Sequence, residues 1–448
     1  SLSQVHTSAI GIYLPSSADP DANIHDLVIY DNVIHDNGDW KALGDPDVHG
    51  MSAGHHVSDV WVVDNEFYHN SGNGIQINAG NLANLETTHH IYIGRNIGYE
   101  NKQDAFWTKS ATDVIFSENI VYNHRPSDSS MGGGMGLQYG PKRVWFLFNH
   151  IYDCEYGIRM STDDGSGGRG PGNDTYVIGN LIHNIHRSEG SSGLNVWKGG
   201  AGIFIASGQS ERQILYNTIY DADGGIFNAR RAKLIVNNNI LYNISEEHIF
   251  FEFPDSLPVS NIQYNVFDNP AKIVWGRTGD QTTYGLTNFQ SKFLGKADGS
   301  IEADPLFVDA VNNDFSLLSG SPAIDAGILD DAYATFESLY GIDIKKDIEG
   351  RTRPQGAGWD IGAYEFEEIP VETCSDGIQN QNETGVDCGG VCMNGTETLC
   401  EDGIDNDKDC LIDSADSDCV VGNWTPPIGI PRPEFGIEES YRMYDEPA

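Results

Sequence analysis

Basic residues are scarce in this chain: 26 Lys and Arg stand against 66 Asp and Glu, a formal charge of -40. A field of that sign repels nucleic acid and anionic lipid, so neither is an expected partner. It also opposes an acidic polysaccharide, whereas it suits Ca2+, which takes several carboxylate oxygens. Long apolar runs are missing too, and no stretch of about 18 apolar residues could cross a bilayer as a helix. Helix-period apolar patterns are rare. Before residue 374 the only cysteine is Cys154, expected to be buried and inert. The chain starts at Ser1 without a leader-like segment, as a mature or trimmed form would.

What is present points to a β-rich, turn-rich protein. Glycine occurs 51 times, and 39% hydrophobic residues can still fill a core. At 448 residues the chain has room for a large core and a second unit.

One phrase recurs from residue 24 to about 270: a β-branched run, an Asn, then an apolar residue. It reads "LVIYDNVI", "VWVVDNEF", "IYIGRNIG", "VIFSENIV" and onward, placing Asn32, Asn65, Asn96, Asn119, Asn149, Asn180, Asn217, Asn239 and Asn265. Near-regular spacing with variable insertions is the mark of a solenoid, in which loops leave one turn without disturbing the next. Between the asparagines a second phrase repeats: "HGMSAG", "NGIQIN", "DAFWTK", "GMGLQY", "YGIRMS", "AGIFIA". Each coil therefore holds at least two short strands bounded by turn-tolerant Gly or Asn. With too few helices for crossover units, the expected fold is all-β, a right-handed parallel β-helix. The asparagines are expected at a bend, their amides bonding from coil to coil. Coils are expected over 1–300, and final coils with a C-terminal cap over 301–366, because the last coil exposes an apolar cross-section.

From 367 to 420 the composition turns acidic and Cys-rich. Cys374, Cys388, Cys392, Cys400, Cys410 and Cys419 form an even set, read as disulfides in an oxidising, extracellular setting. Zinc fits less well, since "CGGVC" has no second close pair and no His nearby. In "DNDKDCLIDSAD" Asp405, Asp407, Asp409, Asp413 and Asp416 fall at positions 1, 3, 5, 9 and 12 of a calcium-type loop. Cys410 replaces the usual Gly at position 6, and Asp416 the longer Glu at 12. This segment resembles the aspartate-rich repeats of thrombospondin type 3, which implies structural calcium. The other reading is a disordered acidic linker. The Pro-rich 421–448 reads as an extended linker.

Alternation within the second phrase predicts an outward row on consecutive coils: Gln76 and Asn78, Trp107 and Lys109, Gly136 and Gln138, Arg159 and Ser161. An exposed Trp beside amides and cations suits a sugar chain, with the ring against C–H faces and the polar groups on hydroxyls or carboxylates. The plain alternative is a Trp packed beneath a loop and a decorative Lys. Arg125, in "HRPSDSSMGGG", is expected beside the same row. The histidine pairs His55–His56 and His89–His90 lie before strands and read as structural rather than metal-binding. Asp163 and Asp164, in "STDDGSGG", could serve a hydrolase or simply form a turn.

The stretch "TKSATDVIFSENIVYNH…GMGLQYG" resembles the chondroitinase-B-like and alginate-lyase β-helix family, with Lys109 and Ser110 at its Lys-Ser pair. Gln138 and Tyr139 stand where that family has Arg-His. The resemblance implies a lyase acting on uronate-containing glycan by β-elimination. Lys109 would be the base, Arg125 or Arg159 the assisting cation, and Trp107, Gln76, Asn78, Gln138 and Tyr139 substrate contacts, with Ca2+ near the carboxylate. Glu100 and Asp104 are the only nearby acids for such an ion. A non-catalytic surface adhesin or carbohydrate-binding module remains the competing class, and a glycoside hydrolase using Asp163 and Asp164 the third.

Overall fold

The computed structural model describes residues 7–14, 22–44, 47–80, 82–161, 173–188, 199–206, 210–253, 255–277 and 279–367. The acidic tail, with its cysteines and Asp405–Asp416, lies outside them, and so do Asp163 and Asp164.

Three sheets wind about one apolar core, and each coil gives one strand to each sheet. One coil shows the plan: Phe106–Lys109 in sheet A, Thr112–Ser117 in sheet B and Ile120–Tyr122 in sheet C. Each pairs in parallel with its counterparts one coil before and after. Among the described residues the sheets hold 11, 9 and 10 strands. A parallel β-helix is therefore the architecture.

The recurrent asparagines stand at the bend between sheets B and C, buried from Asn65 onward. The Asn149 backbone N–H and its Nδ2 both donate to Asn180 Oδ1, at 2.9 Å each, and Nδ2 also donates to the Phe116 carbonyl at 3.0 Å. The same pattern links successive coils from Asn32 to Asn265, where Ser300 Oγ takes over as acceptor at 3.0 Å. The residue before each ladder Asn is left-handed, as at Asp64 (φ 57) and Glu118 (φ 57). Asp and Asn tolerate that region better than most residues.

Inward side chains such as Met51, Ile75, Phe106, Met135 and Ile158 fill the core. Cys154 is buried and free, as expected, and burial pushes its thiol up to about 12. Helix α1 (Leu286–Lys292) lies between the last strand of sheet A and the last strand of sheet C and inserts Leu286 and Phe289 into that core. It closes the end of the stack.

Residues 301–366 include the end of the coils and also a segment that packs on their outer face. Ile301–Glu302 completes sheet C, and the rest runs back along the flank of the coils. Phe315 packs on His183 with ring centroids 5.1 Å apart, and Ala363 N–H donates to Thr218 Oγ1 at 3.0 Å. Helix α2 (Asp331–Tyr340) sets Phe336 edge-on to Trp145 at 4.9 Å. The Tyr340 hydroxyl reaches Asp113 Oδ1 at 2.7 Å. Outward aromatic rings on sheet B need cover, and this segment provides it, while α1 does the capping.

On sheet C, Tyr68, Tyr99, Tyr122, Tyr152 and His183 stack ring on ring, with centroids 4.9–5.2 Å apart. His183 also meets His150, Nε2 to Nε2 at 2.7 Å, so one ring donates and the other accepts. Burial pushes both imidazoles down to about 4, and for His150 the neighbouring His183 adds to it. The unfolded rings take up protons near 6.5, the folded ones only near 4. The linkage thus erodes stability as pH falls from about 6.5 to about 4 and is constant below that, on the order of a few kcal/mol for the pair. His183→Phe keeps the stack but removes that ring's share of the titration. Urea unfolding should find the variant's deficit relative to wild type smaller at pH 4.5 than at pH 7; parallel pH profiles would refute the assignment.

Candidate functional site

The outward row of sheet A has the expected register. Trp107 pairs with Gln76 and Gly136, Lys109 with Asn78 and Gln138, and Gly136 with Arg159. Two columns run up the coils, one through Gln76, Trp107, Gly136 and Arg159, the other through Asn78, Lys109, Gln138 and Ser161.

The first column is covered, which corrects the picture of an open aromatic platform. Trp107 is 1% exposed. Gly136 leaves an empty shelf on the next coil, and the indole leans over it, its ring beside the position a Cβ would take. Beyond it the Arg159 guanidinium lies over the ring at 4.5 Å, a cation–π contact in a dry setting. Arg159 also faces Asp104 Oδ2 at 3.7 Å and the Met131 sulfur at 3.5 Å. Asp104 in turn accepts Gly133 N–H at 2.7 Å and Ser130 Oγ at 3.2 Å. Gln76 is buried as well. It meets His49 Nε2 at 2.8 Å and accepts from Asn73 Nδ2 at 3.2 Å. A polar network of His49, Asn73, Gln76 and Asp47 thus lies under the surface beside Trp107, with His49 Nε2 3.4 Å from Asp47 Oδ1. Only the "HG" of "HGMSAG" hinted at it.

The second column stays accessible. Asn78, Lys109, Gln138 and Tyr139 are half-buried. Lys109 Nζ lies 5.6 Å from the centroid of the Tyr139 ring. Tyr139 is left-handed (φ 62), and so is Ser110 (φ 52), whose hydroxyl donates to the Tyr139 carbonyl at 2.9 Å. These two turn residues fix the phenol beside the amine. Asn78 is tied locally, its Oδ1 accepting Gly80 N–H at 3.0 Å.

Arg125 does not join this column. Its guanidinium donates to the His186 carbonyl at 3.3 Å, in the segment leading into the start of Gly133–Gln138, whereas Lys109 ends its own strand. At about 3.3 Å per residue, a strand's length separates the two. Glu100 and Asp104 are also apart in role. Glu100 binds His69 Nε2 at 2.9 Å, and Asp104 serves Gly133 and Arg159. They do not make a shared calcium seat.

The family described as "Right handed beta helix region" matches residues 83–289. Among curated proteins none matches this sequence. Solved structures similar in part include the pectate lyase Pel9A, at 13% identity and TM-score 0.49, over 80% of this chain and 83% of that one. The surface adhesin PfbA of Streptococcus pneumoniae has 12% identity and TM-score 0.35, over 58% and 71%. The pectate lyase Bsp165PelA from Bacillus sp. N165, solved with trigalacturonate, has 10% identity and TM-score 0.33, over 62% and 82%. Chemistry must therefore be read from this chain's own residues.

The indole's place depends on the missing side chain at 136. A methyl group there would run into the Arg159 carbonyl and the Trp107 ring. Gly136→Ala should lower stability by about 1–3 kcal/mol and red-shift part of the Trp emission, whereas Gln138→Ala should leave both nearly unchanged. Urea titration followed by fluorescence reads both variants.

Proposed function

We propose that this protein acts on an acidic polysaccharide at the open column of sheet A, as a lyase with Lys109 as the base. The observation that carries the reading is the Lys109 amine held beside the Tyr139 phenol and flanked in register by the Asn78 and Gln138 amides. The two amides lie one coil to either side of Lys109, about 9.6 Å apart along the stack, and suit the polar groups at the two sides of a sugar unit held over the amine. The composition of 95–200 is nearly neutral, so the column sits in the part of the chain where an anion meets least repulsion.

In β-elimination the neutral amine of Lys109 takes the C5 proton of the uronate. The C5–H electrons become the C4–C5 double bond, and the C4–O bond breaks. The Tyr139 hydroxyl is placed to return a proton to the leaving oxygen. One flanking amide, Asn78 or Gln138, binds the substrate carboxylate and favours the charge that develops there, and the other takes a hydroxyl. Arg159, occupied by Trp107 and Asp104, supports the floor of the site and does not touch substrate. Its engagement also supports a second reading, a surface protein that binds glycan without cleaving it, since the open column then holds a single cation.

Incubation with pectate, alginate and chondroitin should release a product with the ultraviolet absorbance of a C4–C5 double bond. Lys109→Met should cut that rate by about 10²–10⁴ while leaving the fold intact. Binding without product by the wild type would favour the second reading, and neither binding nor product would remove both.

The tail is read as an extracellular spacer held by structural calcium at Asp405, Asp407, Asp409, Asp413 and Asp416, with Cys374, Cys388, Cys392, Cys400, Cys410 and Cys419 as disulfides. The spacing of acids and cysteines supports it. Calcium should protect 367–420 from protease, and chelation should expose that segment while the coils stay resistant. Cleavage indifferent to calcium would mark a plain acidic linker.

A further inference from the structure

A different edge of the molecule gathers ligand atoms. Where sheet A turns into sheet B, a column of left-handed residues climbs the coils: Asp59 (φ 53), His90 (φ 53), Asp113 (φ 54) and Arg143 (φ 47). Neighbouring residues of a strand normally point to opposite faces. The left-handed backbone at His90 breaks that alternation, and the rings of His89 and His90 come together, with centroids 4.6 Å apart.

We propose that Asp59, His89 and His90 form a site for one borderline divalent transition-metal ion, of the Zn2+ type, with a fourth position open to water. His89 Nδ1 and His90 Nδ1 are 3.0 Å apart, and His90 Nδ1 is 3.3 Å from Asp59 Oδ1. One ligand atom from each of the three residues lies within 4.8 Å of the others. Metal bonds of about 2.0–2.1 Å in a tetrahedron give ligand–ligand edges of about 3.3 Å, close to the two distances seen.

A second observation points to the same ligand. Asp59 is 4% exposed, and its Oδ1 is buried without a well-aligned hydrogen bond, facing His90 Nδ1 at 3.3 Å, while Oδ2 takes the Ser58 hydroxyl at 2.7 Å. A buried carboxylate oxygen left so is costly unless a cation meets it. The other nitrogen of His90, Nε2, lies 3.8 Å from Asp113 Oδ2. Asp113 is itself fixed by Arg143, at 2.6 and 2.8 Å, and by Tyr340. A carboxylate behind a ligating imidazole is the usual way such a ring is oriented.

The donor set decides the ion class. Two imidazoles and one carboxylate suit Zn2+ and its neighbours, whereas Ca2+ wants six or more oxygens. His90 is exposed and His89 half-buried, so the ion can enter and the fourth position meets solvent. The site uses none of the residues assigned to the glycan column and stands or falls apart from it.

The test uses the full chain, stripped with chelator and then kept under non-reducing conditions with calcium in excess to fill oxygen-only sites. Co2+ serves as the probe, because its visible bands report four-coordinate nitrogen and oxygen ligation. The expected result is one equivalent of Co2+ with such bands, displaced by Zn2+. His89→Ala and Asp59→Asn should each weaken binding at least about tenfold with unchanged circular dichroism. If Asp59→Asn fails to fold, His89→Ala carries the test, since its ring is half-exposed. Absent bands, or bands of the same strength and affinity in His89→Ala, would overturn the proposal.

Discussion

The amide ladder at the bend between sheets B and C sets everything else in place. Each rung ties three things at once: a backbone N–H, a side-chain amide and a carbonyl of the preceding coil, as at Asn149. From Asn65 onward the rungs are buried, so a missing one leaves donors and acceptors unpaired at about 1–3 kcal/mol each. A coil can be lengthened by a loop, because the loop leaves and returns between rungs. It cannot be shifted by one residue, because a slip would turn every core side chain outward. The ladder therefore converts irregular spacing along the chain into regular spacing in space.

Register alone does not decide exposure, and the first outward column shows why. Gln76, Trp107 and Arg159 point away from the core, yet Trp107 and Gln76 are buried. An outward side chain on a solenoid has neighbours about 4.8 Å above and below, and what those neighbours are determines whether it meets water. Gly136 offers the indole room to lie flat, and Arg159 covers it. In the second column Lys109 is half-buried beside the Tyr139 ring. The contrast separates a covered column from an accessible one on the same sheet face.

Much of this was legible in the sequence for a physical reason: parallel stacking repeats one environment per coil, so one residue type recurs at one position. The asparagine ladder and the pairing of Phe106 with Ile75 and Met135 follow from that, whereas the third strand of each coil did not stand out. What escaped was whatever depends on departures from the repeat. The flank segment packs Tyr340 on Asp113, 227 positions away, and nothing periodic links them. The covering of Trp107 depends on a single small residue one coil later. The His89–His90 site needs a left-handed residue inside a strand, whereas alternation assigns adjacent histidines to opposite faces. The tail's calcium and disulfide reading concerns residues outside those described.

Charge follows the same logic of stacking. Side chains at one position of successive coils are near neighbours, so like charges repel and opposite charges pair. Arg95 clasps Asp64, with Nε to Oδ1 at 2.8 Å, and stands next to Glu118 on the following coil. Burial raises Glu118 to about 7, although Arg95 and Lys346 pull the other way. Arg143 holds Asp113 likewise, and there burial is outweighed by the Arg143 and Tyr340 contacts, leaving Asp113 below the ordinary carboxylate value. In each column a fixed cation answers a buried acid. At Asp59 the neighbour one coil on is the His90 imidazole rather than a permanent cation, its Nδ1 3.3 Å from Asp59 Oδ1. A metal ion there would take the place of the proton that His90 shares with Asp59.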